Sequence, residues 1–275
     1  MRSRPTCTFS VTSQAHTVLG CLVLLQQVVI VAPSARQTSA LHHAAQIGDL
    51  SAVIGSLQAG GLDNKDRANE TPLLKASRFG RTKVVAALLR AGAIAQVQHA
   101  LPIAARYGHA EVVRLLLEAG AEPNVADTRI KYDTPLMLAS LYGETDVVQV
   151  LLQGGARVNA QNRIGRTALI CAAGEGHATT LAALLNSGAE VDLPDKEGHV
   201  PLIFACNGGH QSAVQLLLDR GANVHIPAGL QGSTALMIAS MRGFLAITKG
   251  LLAAGADPNA RADDCRAPLA PLCPF

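Results

Sequence analysis

The chain has 275 residues, 49% of them apolar but only 3% aromatic, with no Trp and a formal net charge of +3. Residues 1–36 carry Arg2, Arg4 and Arg36 and no acid, which leaves basic and acidic residues balanced over the remainder. A neutral remainder without a basic stripe speaks against a nucleic-acid footprint, and so few aromatics speak for a stack of Ala and Leu rather than a globular enzyme.

Residues 1–36 share no pattern with the rest of the chain. An Arg-, Ser- and Thr-rich start leads into an apolar run over 18–32, interrupted by Gln26-Gln27. Three readings stay open: a secretory signal peptide with its apolar core over 18–25, an organelle transit peptide, or a helix that caps the first unit behind it. A membrane-spanning helix fits least, since about 18–20 uninterrupted apolar residues are needed. The expected location is the cytoplasm, with a secretory or organellar address as the alternative if this leader is a targeting peptide.

The stretch Thr134-Pro135-Leu136 to Gly143, followed by Glu144 to Leu152 and Gly154-Gly155, reads as one unit. Thr134 is suited to cap a helix and Pro135 to be its first residue, where a missing N–H costs nothing. Gly143 ends that helix. A second one comes after it, with Val147, Val148, Leu151 and Leu152 on one face and Gly154-Gly155 as its stop. Two helices this short cannot bury their apolar faces on each other and need like neighbours on both sides.

The sequence supplies them. The glycine recurs at Gly48, Gly80, Gly108, Gly143, Gly176, Gly209 and Gly243, and the leucine at Leu41, Leu73, Leu101, Leu136, Leu169, Leu202 and Leu236. Small pairs such as Ala104-Ala105 and Ala172-Ala173 come after each leucine and let neighbouring units approach closely. Cys171 and Cys206 fall in the same helices of adjacent units and read as small buried hydrophobes, which favours a reducing compartment.

With a period near 33, the openings Thr71-Pro72-Leu73 and Thr134-Pro135-Leu136, and the pairs Gly108-His109, Gly176-His177 and Gly209-His210, the chain resembles the ankyrin-repeat family. The resemblance implies an all-α solenoid of seven helix-pair repeats with short hairpin fingers over residues 37–262. A truncated eighth unit occupies 263–275, where Ala267-Pro268-Leu269-Ala270 is cut short by Pro271 and Pro274. The resemblance also implies a scaffold that binds a protein on its concave face, with no catalytic residue, metal, cofactor or small-molecule substrate. Only His42 occupies the family's His position after the leucine; later units place Leu74, Pro102, Met137, Ile170, Ile203 and Met237 there.

Two steps are irregular. Only 28 residues separate Gly80 from Gly108, so the connection over 94–100 has no room for a finger, and the hairpin contacts between units two and three are expected to be interrupted. The next step is 35, and Thr128-Arg129-Ile130-Lys131-Tyr132 makes a longer finger.

Family members touch partners through fingertips and through the ends of first helices. Phe79, Tyr107 and Tyr142 share one such position in three consecutive units, with Arg78, Arg106 and Leu141 beside them and Met241-Arg242 at the same place in unit seven. Fingertip candidates are Lys131, Asp133, Arg163, Arg166, Lys196 and His199. The three rings and two arginines predict an acidic, partly apolar segment of another protein as the partner across units two to four. Units five and six, with Gly174-Glu175 and Asn207-Gly208 there, read as the quiet end of the groove.

Overall fold

The computed structural model describes residues 35–57, 61–126, 133–229 and 232–261. The readings of the leader before residue 35, the finger over 128–132 with Lys131, and the truncated eighth unit therefore lie outside the described residues. So do Cys7, Cys21, Cys265 and Cys273.

Among the described residues there are fourteen helices and no strand, only an isolated bridge between Ala228 and Ser233. First helices are α1 (Ala35–Ile47), α3 (Pro72–Arg78), α5 (Val97–Arg106), α7 (Pro135–Leu141), α9 (Ala168–Glu175), α11 (Pro201–Gly208) and α13 (Ala235–Met241). Each is followed by a second helix: α2 (Leu50–Leu57), α4 (Thr82–Arg90), α6 (Ala110–Glu118), α8 (Thr145–Gln153), α10 (Ala178–Asn186), α12 (Gln211–Asp219) and α14 (Leu245–Ala253).

Threonine caps set the starts of four of the first helices. The Oγ1 of Thr71, Thr134, Thr167 and Thr234 accepts the N–H of Leu74, Met137, Ile170 and Met237 at 3.2–3.3 Å. In units four and seven the sulfur of Met137 or Met237 accepts the cap residue's own N–H, so a methionine closes the box that Glu or Gln usually closes. His42 does a different job: its Nε2 donates to Glu70 O of the next unit at 2.9 Å.

First helices pack on first helices and second on second, and the first-helix layer is the tighter of the two. The reason is composition. Ala44-Ala45, Ala104-Ala105, Ala139-Ser140 and Ala172-Ala173 are all buried in the first layer, whereas Val84, Val85, Leu88, Val147, Val148 and Leu151 fill the space between layers. A layer of small residues beside a layer of large ones lets the first helices approach more closely than the second, so the stack is expected to curve toward the first-helix face. Each buried Leu of this core contributes about 1.5–3 kcal/mol.

Two hydrogen-bonded seams join the units. On one edge, the residue after the inter-helix glycine reaches back at four of the six joints: Arg81 Nε donates to Gln46 O at 2.9 Å, and Nε2 of His109, His177 and His210 to the carbonyls of Arg78, Leu141 and Gly174 at 2.9–3.1 Å. The same side chains lie over the preceding glycine; a Cβ on Gly176 would stand 2.4 Å from His210 Nδ1. Between units three and four this place belongs to Glu144, whose carboxylate has no proton to donate. On the other edge, Oδ1 of Asn124 and Asn159 accepts the N–H of Arg157 and Glu190 at 2.8 and 3.0 Å.

The short step between units two and three keeps its contacts, contrary to the expectation from spacing. α5 takes an extra turn at its start and runs through Pro102, filling the place of the finger. Gln96, just before it, accepts Thr71 N–H at 3.2 Å and donates to Asn69 O. Gln98 accepts Glu122 N–H at 2.9 Å and donates to Gly120 O, so two glutamines do the work of a missing hairpin.

Candidate protein-docking surface

Phe79, Tyr107 and Tyr142 are the C-cap residues of α3, α5 and α7. Each N–H closes the last turn on the carbonyl four residues back, at 3.1–3.2 Å, so the backbone is spent and the ring stands off the stack. They are 41%, 48% and 44% exposed, in a chain with only eight Phe and Tyr.

Arg106 joins two of them. Its Cζ lies 5.8 Å from the ring centre of Tyr107 and 5.2 Å from that of Tyr142, so one guanidinium spans units three and four. No described carboxylate pairs with it, and a cation held on aromatic faces keeps its outer N–H groups for an incoming acceptor. Arg78 differs. Its guanidinium is bound to Glu70, which also lies 3.9 Å from Lys75 Nζ; Lys75 pairs with Asp66 at 2.8 Å. Burial disfavours the Asp66 charge, but the Lys75 hydrogen bond, the amides of Glu70 and Ala68 and the Lys75 charge outweigh it and bring the carboxyl down from 3.8 to about 2.

The fingers of units five and six are Asx turns. Asn162 Oδ1 accepts from Ile164 and Arg166, and Asp195 Oδ1 from Glu197 and His199, at 2.9–3.0 Å. Lys196 N–H donates to Ile164 O at 3.1 Å and stacks the two fingers. Asp133 is buried and accepts from Asn162 Nδ2, so its carboxylate is engaged inside the fold. Leu141 is half-buried; Arg163 and Lys196 are exposed. Asp195, Glu197 and His199 bring potential ligand atoms within 4.8 Å, but the Asp195 oxygen is already accepting both amides of the turn.

Arg166, Lys196, His199 and Met241 come together around a cleft of about 740 Å³ that crosses units five to seven. Its floor is Ile203, Phe204 and Ile238. Arg166 Cζ lies 4.9 Å over the Phe204 ring, and His199 meets the same ring edge-on at 5.9 Å. Arg242 stands beside the mouth, donating to Asn207 Oδ1 at 2.7 Å. Sequence reading missed the floor residues. The signal for Phe204 and Ile238 is the position two after each repeat leucine, occupied by His43, Lys75, Ile103, Leu138, Cys171, Phe204 and Ile238, where only unit six has a Phe, Tyr or Trp. Beneath the cleft, burial pushes the Cys206 thiol up to about 12; burial and the Asp133 charge do the same for Cys171.

The family model for ankyrin repeats in three copies matches the chain over residues 41–127, 101–195 and 180–262. The chain belongs to the ankyrin-repeat family, whose arrays in general mediate protein–protein interaction and are not enzymes. No curated protein matches the chain closely enough to serve as a relative. Among the described residues no helix is long and apolar enough to cross a membrane.

Proposed function

We propose that the fourteen helices act as seven ankyrin units and that the array, over residues 37–262, is an adaptor that docks a partner protein on its concave face across units two to four. The observation that carries this is Arg106, without an ion pair among the described residues and laid over Tyr107 and Tyr142 at the exposed helix ends. The rings supply contact area that loses its water on docking, and the guanidinium favours a carboxylate, so the partner segment is acidic and partly apolar. Phe79 extends the same row into unit two, while Arg78 serves mainly to hold the finger through Glu70. The two buried free thiols suit the cytoplasm.

The test is a contrast between equivalent positions, with a partner recovered by proximity labelling. Tyr107→Ala is expected to cost roughly 2 kcal/mol or more of affinity, and Glu175→Ala, one residue before the equivalent glycine in unit five, to cost little. Equal binding by the two folded variants refutes the assignment.

A further inference from the structure

We propose a second, separate docking site in the cleft over Phe204, built to take an apolar side chain with a carboxylate beside it from an extended segment of a partner protein. The inference rests on the reading that the chain binds proteins, and not on the aromatic row in units two to four.

Three observations meet here. The first is shape. Cys171 and Gly174 leave the wall of unit five low; a Cβ added to Gly174 would only just touch Phe204, at 3.7 Å. The ring is therefore half-buried at the bottom of a groove, between Ile203 and Ile238, instead of being covered by its neighbour. At about 740 Å³ the space suits one or two side chains of a bound segment.

The second is a cation that makes no ion pair among the described residues. Arg166 is fixed at its backbone by Asn162 Oδ1, at 2.9 Å, and at its guanidinium by Phe204. Its Nε is shut off from water and has no acceptor. A buried donor left without a partner is a cost in the free protein, and a planar guanidinium held in place is suited to a carboxylate.

The third is charge complementarity. Lys196, exposed on the neighbouring finger, faces the same space and makes no ion pair among the described residues. Of the acids on the two fingers, Asp195 is committed to the turn amides and Glu197 lies 3.5 Å from His199 Nδ1, while Asp133, one unit back, accepts from Asn162. None of them forms an ion pair with Arg166 or Lys196. An apolar floor flanked by two cations without an ion pair among the described residues selects an Asp or Glu next to a Leu-, Ile- or Phe-sized side chain.

The experiment is selection of a phage-displayed random dodecapeptide library on the full chain, with the selected synthetic peptides then bound to variants. The expected result is a peptide class in which an apolar residue adjoins an acid, with affinity lowered about tenfold or more by Arg166→Gln, lowered also by the surface change Lys196→Glu, and unmoved by Tyr107→Ala. Lys196→Glu keeps the test decisive if Arg166→Gln does not fold. Acidic peptides that respond to Tyr107→Ala alone would overturn the cleft while leaving the aromatic row standing. Peptides without an acid, or none enriched, would overturn it outright.

Discussion

The two ends of the concave face solve one problem in opposite ways. In units two to four the first helices end in large rings, the rings project, and a single arginine ties two of them together above the surface. In units five and six the same helix ends carry Gly174-Glu175 and Asn207-Gly208, no ring projects, and the unit-six aromatic, Phe204, sits four residues earlier, on the floor. One end offers a ridge and the other a hollow, both with an arginine over an aromatic face. Identical backbones thus yield convex or concave recognition according to which turn of the first helix carries the ring.

The ends also differ in how they are sewn, and the largest expected effect lies there. Gly176 has φ 75° and its Cβ would stand 2.4 Å from His210 Nδ1. Gly176→Ala therefore combines a left-handed non-glycine residue with overpacking and is expected to destabilise units five and six by about 2–4 kcal/mol. Amide exchange should quicken in residues 168–219 and stay slow in 72–118. Equal loss in both segments would mean that the two ends cannot be separated.

A smaller effect of opposite sign is expected at the ridge. Arg81, His109, His177 and His210 all donate to the carbonyl two residues before the preceding glycine, and by that rule the Arg106 carbonyl awaits a donor at position 144. Glu144→His should supply it and stabilise the chain by about 0.5–1.5 kcal/mol, read as a higher urea midpoint. An unchanged midpoint would show that this joint does not limit stability.

The smallest effects come from pH, and they fall on different ends. The unfolded Asp66 carboxyl takes up its proton before the folded one as pH falls, so its stabilisation of the unit-two finger is present above 3.8 and lost toward about 2. The Cys171 and Cys206 thiols are held neutral by the fold, so the unfolded chain gives up these protons first as pH rises. Their contribution is complete below 9.0 and lost toward about 12. Acid should loosen the ridge end first and base the cleft end. Carboxyl titration by NMR and alkylation of the two thiols measure the two arms, and a common midpoint at both ends would break the comparison.

The repeat was legible in the sequence because its determinants are local. A threonine cap, a glycine with positive φ and a leucine on a fixed face are each set within a few residues, so their spacing exposes the fold. The ridge was legible for the same reason, since Phe79, Tyr107 and Tyr142 are one position repeated. Arg78 looked like the twin of Arg106 and is not, because Glu70, eight residues earlier, folds back onto it. The cleft was hidden because its walls come from three units and its depth from what Cys171 and Gly174 lack. The lost finger was visible as a short step, but its replacement by Gln96 and Gln98 was not; a glutamine gives no sign of which neighbour's backbone it will meet.

The seam along the glycines makes the joints a property of sequence order rather than of the units themselves. Every joint takes its glycine from one unit and its covering side chain from the next, and at four of them, all but those covered by Glu144 and Phe244, that side chain also donates to a carbonyl of the earlier unit. Excising unit four whole would therefore remove Glu144 from above Gly108 and set His177 in its place, with the Arg106 carbonyl as its acceptor. The shortened array would lose Tyr142 and half the grip of Arg106, yet gain the stitch that the longer one lacks. Length and stiffness are inherited together in such a chain, and a recombination that trims the docking ridge also tightens the spine beneath it.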